Sequence, residues 1–375
     1  MSARKVTVVV GVLALAAGML AAVPAAAGAG KPTAIVSMGD SYISGEAAGS
    51  YEPGTDQSGD FCHRSTKSEI HRTSIAANKQ INLACSGAST ANVALGGTPQ
   101  NGEAPQAERL RAVARDNQVK LIVLSIGGND VGFGSIVLDC IKAFFKLSGR
   151  CQDSWASKLP PALSAAAPKI AHNLADIRTV MRAAGYADSD YQLVLQSYPS
   201  AVTGDNRYSF TKPFQGCPVR DDDANWAKLN AVAQFSSTMA AVARSSGVRF
   251  MDLSQAFYGR EVCAKGIDHS QEWANGITID LTELRNGLGG QIVQQTLHPN
   301  ASGHTEFGLC LTSFYQLTAA AARCVRGSNG NLGAVAMSLA TLAAPTASRT
   351  YPVIFEPAPV TDRSLAFRLE AQQHQ

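Results

Sequence analysis

A serine and a histidine lie in short motifs that together contain the groups needed for acyl transfer. In chain order the motifs are Gly39-Asp40-Ser41-Tyr42, Cys85-Ser86-Gly87-Ala88, Gly127-Gly128-Asn129-Asp130 and Leu297-His298-Pro299-Asn300. A serine hydroxyl is a weak nucleophile until a base accepts its proton, and the carbonyl oxygen that becomes negative needs preformed hydrogen-bond donors. Ser41 could attack and His298 could take the proton. The Gly87 N–H and the Asn129 side-chain amide could then hold the oxyanion.

The elements that must position these residues follow from an alternation of apolar runs and helical patterns. Strands are predicted at 33–38, 81–84, 120–126, 192–196 and 249–253, and helices at 105–117, 161–184, 225–245 and 301–324. This order predicts an α/β fold, a three-layer α/β/α sandwich with a central parallel sheet of the flavodoxin-like type. Ser41, Gly87 and Asn129 each follow one of the first three strands, at the carboxyl edge where such sheets bind ligands.

The motifs resemble those of the GDSL, or SGNH, hydrolases, and the likeness runs from about residue 33 to residue 324. The chain is most similar to the secreted actinobacterial lipases and esterases of this family, whose usual form is also matched by Asn82-Leu83-Ala84-Cys85-Ser86-Gly87-Ala88, Ser197-Tyr198-Pro199 and Gly216-Cys217-Pro218. The resemblance implies that Ser41 is the nucleophile and, through its own N–H, the first oxyanion donor. It further implies that Gly87 and Asn129 are the other donors and that His298 is the base. Tyr42 departs from the leucine that the motif often has, which changes a packing side chain.

The partner of His298 is the second departure. The acidic residue of the family usually lies three positions before the histidine, where this chain has Gln295, an uncharged amide. An aspartate in this role fixes the histidine tautomer and stabilises the imidazolium. Two alternatives remain open: a main-chain carbonyl, as in some actinobacterial relatives, or a displaced acid such as Asp280. We favour the first, a Ser–His dyad, over a histidine oriented by Gln295 or by an acid.

The first residues have the marks of a secretory signal. A basic start, Met1-Ser2-Ala3-Arg4-Lys5, precedes an apolar run over 6–23 and a small-residue site, with cleavage expected after Ala27. A membrane anchor is the competing interpretation, because the run is about long enough to span a bilayer. We therefore predict a signal peptide at 1–27, a hydrolase domain at 28–325 and a C-terminal extension at 326–375, disordered or loosely packed.

Eight cysteines in an exported chain are expected to form disulfides. Spacing alone leaves about a hundred connectivities open. The family resemblance implies three pairs and subtraction leaves the fourth: Cys62–Cys85, Cys140–Cys151, Cys217–Cys263 and Cys310–Cys324. The chain has no Cys-x-x-Cys motif, which argues against a zinc or redox site. We expect neither a metal nor an organic cofactor.

The charge balance limits the partners. The formal net charge is +3, charged residues make up 16% of the chain, and basic residues form no long run. Nucleic acid is therefore excluded as an expected partner, since phosphate binding needs concentrated basic residues. We expect a monomer that meets a lipid or other ester substrate and has at most transient contact with lipid surfaces.

The predicted function is that of a secreted serine esterase or lipase acting on carboxylic esters of fatty acids, either acylglycerols or phospholipids. The alternative is a carbohydrate esterase, a polysaccharide deacetylase of the same fold, because fold does not determine substrate. A non-catalytic secreted binding protein would have no need of the four motifs.

Other residues near the motifs have structural interpretations beside functional ones. Asp40 and Asp130 are expected to cap or hydrogen-bond their loops. His304 is expected to be an ordinary helix residue, whereas His63 and Trp273 are candidates for the border of the cleft.

Overall fold

A seven-stranded sheet runs through the part of the chain that this computed structural model describes, residues 30–146, 149–208, 215–277 and 295–339. The strands are β1 Thr33–Gly39, β2 Lys79–Asn82, β3 Gln118–Ser125, β4 Gln192–Gln196, β5 Arg249–Asp252, β6 Ala321–Arg326 and β7 Leu332–Ala336. Their order is β2-β1-β3-β4-β5-β6-β7, with all neighbours parallel except the antiparallel pair β6–β7. The first five strands have the flavodoxin-like order, which confirms the predicted α/β fold.

Helices cover both faces of this sheet. They are α1 Ser41–Ser44, α2 Thr90–Val93, α3 Gln106–Asp116, α4 Phe133–Lys146, α5 Cys151–Ala183, α6 Asp221–Trp226, α7 Val232–Ser246 and α8 Ala301–Gln316. Helix α5 contacts both α3 and α7, whereas α8 contacts β7 and the short turn Glu69–Arg72. The central strands β1 and β3 are buried almost without interruption, as expected for parallel strands covered on two sides.

The described segment that follows α8 differs from the prediction in two places. The helix expected through residue 324 ends at Gln316, and Ala321–Arg326 forms strand β6 instead. Alanine favours helix, but Ala321 and Ala322 are fully buried beside β5, and this tertiary pairing outweighs the local propensity. Strand β7 lies in the segment assigned to the extension, so the sheet continues past the expected boundary at residue 325.

The two helices that follow the Gly127–Asp130 motif, α4 and α5, also differ from the prediction. The structure has α4 where none was predicted, and α5 begins at Cys151, ten residues before the predicted start. Pro160 and Pro161 favour the first turn of a helix, which explains the later start predicted from the sequence. The predicted signal peptide and residues 340–375 lie outside the described residues.

All eight cysteines form disulfides, in the pairs expected: Cys62–Cys85, Cys140–Cys151, Cys217–Cys263 and Cys310–Cys324. The first of these bonds holds the loop that follows β2, the second joins α4 to the start of α5, and the fourth joins α8 to β6. Among the described helices, none combines the length and apolar character needed to cross a bilayer.

Candidate active site

Ser41 lies at the point where β1 gives way to α1. Asp40 caps this helix, because its Oδ1 accepts the Tyr42 N–H at 3.1 Å. Gly39 makes the turn possible: it has φ 132°, and a Cβ at this position would lie 1.8 Å from the main-chain oxygen of Ser125. The chain therefore leaves the sheet sharply and presents Ser41 beyond the carboxyl edge.

His298 is placed to accept the Ser41 proton. Its Nε2 lies 2.6 Å from Ser41 Oγ, and its Nδ1 lies 3.1 Å from the main-chain oxygen of Thr296. A carbonyl can only accept, so Nδ1 carries the proton and the lone pair of Nε2 faces the serine hydroxyl. His298 is therefore a base in the tautomer that can accept the proton of Ser41.

The loop that carries His298 is held from two sides. The Tyr42 hydroxyl donates to the main-chain oxygen of Leu297 at 2.9 Å, and the Tyr42 ring packs against the imidazole with 4.9 Å between centroids. The Asn275 N–H donates to the main-chain oxygen of His298 at 2.9 Å. These contacts limit the rotation of the imidazole without any charged partner.

Gln295 is exposed, and the atom that accepts from Nδ1 is the Thr296 carbonyl, two residues before His298. This geometry favours the main-chain alternative. Asp280, the displaced acid considered from the sequence, lies outside the described residues.

Electrostatics keep His298 neutral. Burial lowers the pKa of His298 to about 4, since the imidazolium loses hydration, while the negative charge of Glu46 and the hydrogen bond to Thr296 act in the opposite direction. At neutral pH the free base therefore predominates. It is ready to take a proton from Ser41.

Three hydrogen-bond donors surround the serine. Within the described residues, no hydrogen bond takes up the N–H of Ser41 or of Gly87. Asn129 Nδ2 donates to the main-chain oxygen of Ala88 at 2.8 Å, and an amide nitrogen has a second N–H to offer. The loop that contains Gly87 is stabilised by Gln100, whose Nε2 donates to the main-chain oxygen of Ser86 at 2.7 Å. These donors can bind an oxyanion.

The serine opens into a cleft of about 310 Å³. Besides the motif residues, the cleft is lined by side chains that sequence reasoning did not assign to the site: Phe133, Val137, Tyr198 and Thr296. Phe133 and Val137 are four residues apart on α4 and so share one face, but this signal was hidden because α4 was not predicted. Tyr198 was visible only as part of a family motif.

The other candidates have structural surroundings. Asp130 accepts from the N–H and the hydroxyl of Thr90 at the start of α2, at 2.9 and 2.6 Å, in line with the loop role expected. His63 is buried with Nδ1 2.5 Å from Glu46 Oε2, and His304 is buried on α8. Trp273 is buried against Phe257. None of these side chains lines the cleft formed by the described residues.

The sheet order, the Ser–His contact and the surrounding donors are those of the carboxylic ester hydrolases with an SGNH site. The chain belongs to this class through the GDSL-like lipase/acylhydrolase family, whose model matches residues 37–305. It is similar to a lipase from Streptomyces rimosus, with 28% identity over 282 residues that cover 74% of this chain and 84% of that protein. Lipase 1 from Streptomyces coelicolor is 28% identical over 302 residues, which cover 78% of this chain and 91% of that protein.

Solved structures of related proteins include that of the extracellular lipase from Streptomyces rimosus. It has 25% sequence identity and a TM-score of 0.45, and the match covers 72% of this chain and 94% of that one. The match to the family model confirms the family predicted from the motifs, and the chain is a carboxylic ester hydrolase.

Proposed function

We propose that this protein is a secreted serine esterase or lipase that hydrolyses carboxylic esters of fatty acids, acylglycerols or phospholipids, through an acyl-enzyme on Ser41. The observation that carries the proposal is the 2.6 Å contact between Ser41 Oγ and His298 Nε2 at the carboxyl edge of the sheet. A nucleophile and base within hydrogen-bond reach, with the base oriented by a third group, are what covalent catalysis requires.

In the reaction, Ser41 Oγ attacks the ester carbonyl while its proton passes to His298 Nε2. The Thr296 carbonyl keeps the Nδ1 proton in place and stabilises the imidazolium. The oxyanion of the tetrahedral intermediate is bound by the N–H groups of Ser41 and Gly87 and by the Asn129 amide. His298 then protonates the leaving alcohol, and a water deprotonated by the same histidine releases the acid.

The walls of the cleft support an apolar acyl group as the part of the substrate next to Ser41. Phe133 and Val137 lie on one side, and Tyr42 and Tyr198 contribute ring surface. Among the described residues that line the cleft, the one carboxylate, on Asp40, is already hydrogen-bonded to the Tyr198 hydroxyl and the Tyr42 N–H. A cleft of about 310 Å³ is at the lower end of the range for small-molecule sites, which suits one acyl chain.

Secretion is supported by two independent features. The residues before 28 follow the order of basic start, apolar middle and small-residue cleavage site. Four disulfides are characteristic of proteins that mature in an oxidising compartment.

A series of p-nitrophenyl esters, from acetate to palmitate, tests the proposal on purified wild type, Ser41→Ala and Ser135→Ala. Ser135 is an exposed serine of α4, so its variant controls for the chemical change. We expect Ser41→Ala to lose at least ~10³-fold in kcat with nearly unchanged thermal unfolding, because the hydroxyl forms the covalent bond. Wild-type activity in Ser41→Ala would refute the mechanism. Hydrolysis of acetate alone would replace the lipase proposal by the polysaccharide deacetylase.

A further inference from the structure

A buried tyrosine hydroxyl connects the loop of the nucleophile with the loop of Asn129. Tyr198 follows β4, and its hydroxyl donates to Asp40 Oδ2 at 2.5 Å. The same oxygen accepts the N–H of Gly128 at 3.2 Å. Asp40 directly precedes Ser41, and Gly128 directly precedes Asn129. The Tyr198 hydroxyl therefore contacts the neighbour of the nucleophile and the neighbour of the Asn129 oxyanion donor.

Packing determines where the hydroxyl sits. Tyr198 is 5% exposed, and its ring stacks on Phe235 with 5.1 Å between centroids and meets Tyr42 edge-on at 5.3 Å. A Cβ on Gly128 would lie 3.4 Å from both Asp40 Oδ2 and the Tyr198 ring, so the two loops are already in close contact. The Tyr198 hydroxyl is therefore held in place by packing and is hydrogen-bonded to both loops.

Burial changes the pKa of both partners in the hydrogen bond between Tyr198 and Asp40. Burial and the neighbouring carboxylate raise the pKa of Tyr198 far above its ordinary value, so its hydroxyl stays protonated and donates. The pKa of Asp40 is raised to about 7, mainly by burial and to a smaller extent by the charge of Asp130, and the hydrogen bonds from Tyr198 and from the N–H groups of Tyr42 and Gly128 oppose this rise. Without the Tyr198 hydroxyl, Asp40 Oδ2 would lose its side-chain donor.

We propose that Tyr198 is a positioning residue of the oxyanion site, holding the loop of Gly128 and Asn129 against the turn of Asp40 and Ser41. The inference rests on the proposed function. The Asn129 amide and the Ser41 N–H must face one point, and Tyr198 sets the distance between their loops. An oxyanion exists only in the transition state and the intermediate, so misplaced donors lower kcat and leave substrate binding almost unchanged.

Two tyrosine-to-phenylalanine variants provide a matched test. Tyr198→Phe removes the hydroxyl between the loops, whereas Tyr42→Phe removes a buried hydroxyl that holds the loop of His298 through Leu297. Each is made in the wild type and in Asn129→Ala, and kcat and KM are measured with the best ester of the series. We expect Tyr198→Phe to lower kcat by ~10- to 100-fold in the wild type with KM changed by less than about twofold.

Comparison of the wild-type and Asn129→Ala backgrounds distinguishes a positioning role of Tyr198 from a general effect on the structure. In Asn129→Ala the donor that Tyr198 positions is already gone, so Tyr198→Phe should lower kcat by only about threefold or less, whereas Tyr42→Phe should cost the same factor in both backgrounds. Asp40→Ser, whose hydroxyl can still cap α1 but which has no second oxygen to accept from Tyr198, must show the same coupling to Asn129 and serves if Tyr198→Phe does not fold. Equal losses in both backgrounds, or an effect on KM alone, would overturn the inference. If Ser41→Ala stays active, the proposed function itself fails; if Ser41→Ala is inactive and the losses are additive, only the role of Tyr198 fails.

Discussion

Replacing Glu69 by glutamine is expected to remove a large part of the pH dependence of stability between pH 5 and pH 8. Glu69 begins the turn that packs under α8, and its carboxylate is fully buried. Oε2 accepts from Gln196 Nε2 at 2.8 Å, whereas Oε1 has no hydrogen-bond partner among the described residues. Burial therefore raises the pKa of Glu69 from 4.5 to about 7, against the opposing effect of the Gln196 hydrogen bond.

The sign follows from which state holds the proton. The folded protein binds the Glu69 proton more tightly than the unfolded chain does, so the associated stability is complete below pH ~4.5 and is lost as the pH rises through ~7. A rise in pKa from 4.5 to about 7, at ~1.4 kcal/mol per pH unit, corresponds to about 3 kcal/mol. Between pH 5 and pH 8 the loss is ~2–3 kcal/mol. Glutamine has no proton to release, so Glu69→Gln avoids this loss.

Urea unfolding with the disulfides intact, at pH 5 and at pH 8, measures the effect. All other titrating groups are common to the wild type and the variant. The difference in the free energy of unfolding between the two proteins therefore changes between pH 5 and pH 8 only through Glu69. Glu108→Gln on α3 makes the same chemical change at a partly exposed carboxylate and is the control. If the stability difference between wild type and Glu69→Gln changes by less than ~1 kcal/mol between the two pH values, the buried carboxyl does not titrate in this range and the reasoning is wrong.

Three further outcomes are expected. Asn129→Ala should lower kcat by ~10²–10³-fold with little change in KM, measured by steady-state kinetics; a pure KM effect would mean that Asn129 binds substrate. Gln295→Ala should lower kcat by less than about tenfold, because this side chain is exposed, and a loss of ~10³ with intact folding would show that the amide orients the histidine. Replacing both Cys310 and Cys324 by serine, which opens a loop with a separation of 14 residues, should lower the free energy of urea unfolding by ~2–4 kcal/mol, and unchanged stability would contradict a stabilising role.

The motifs and the central strands were predictable because their signals are local. β1 and β3 are mostly apolar runs, and the residues that follow them were placed at the same edge by the rule for parallel sheets. The bounds of β2 were harder to predict: Leu83 and Ala84 are buried, yet β2 ends at Asn82. Apolar residues indicate burial, but they do not show at which residue a strand begins or ends.

Two parts of the site left no signature that a single sequence can show. The acceptor of the His298 Nδ1 proton is a main-chain oxygen, and every residue has one, so Thr296 did not stand out against Gln295 or Asp280. The contact between Asp40 and Tyr198 joins residues 158 positions apart. Both lie in recognisable motifs, but residue types alone do not say which motifs meet in space.

The direction of β1 has a practical consequence for handling the enzyme. The strand runs for seven residues from Thr33 toward Ser41. At ~3.3 Å per residue, this strand separates Thr33 from the nucleophile by roughly 20 Å, the distance from the amino edge to the carboxyl edge of the sheet. A resin, a sensor surface or a fusion partner joined just before Gly30 would therefore sit at the edge opposite the cleft. Immobilisation through this end leaves the opening of the cleft turned toward the solution, where an ester substrate can reach it.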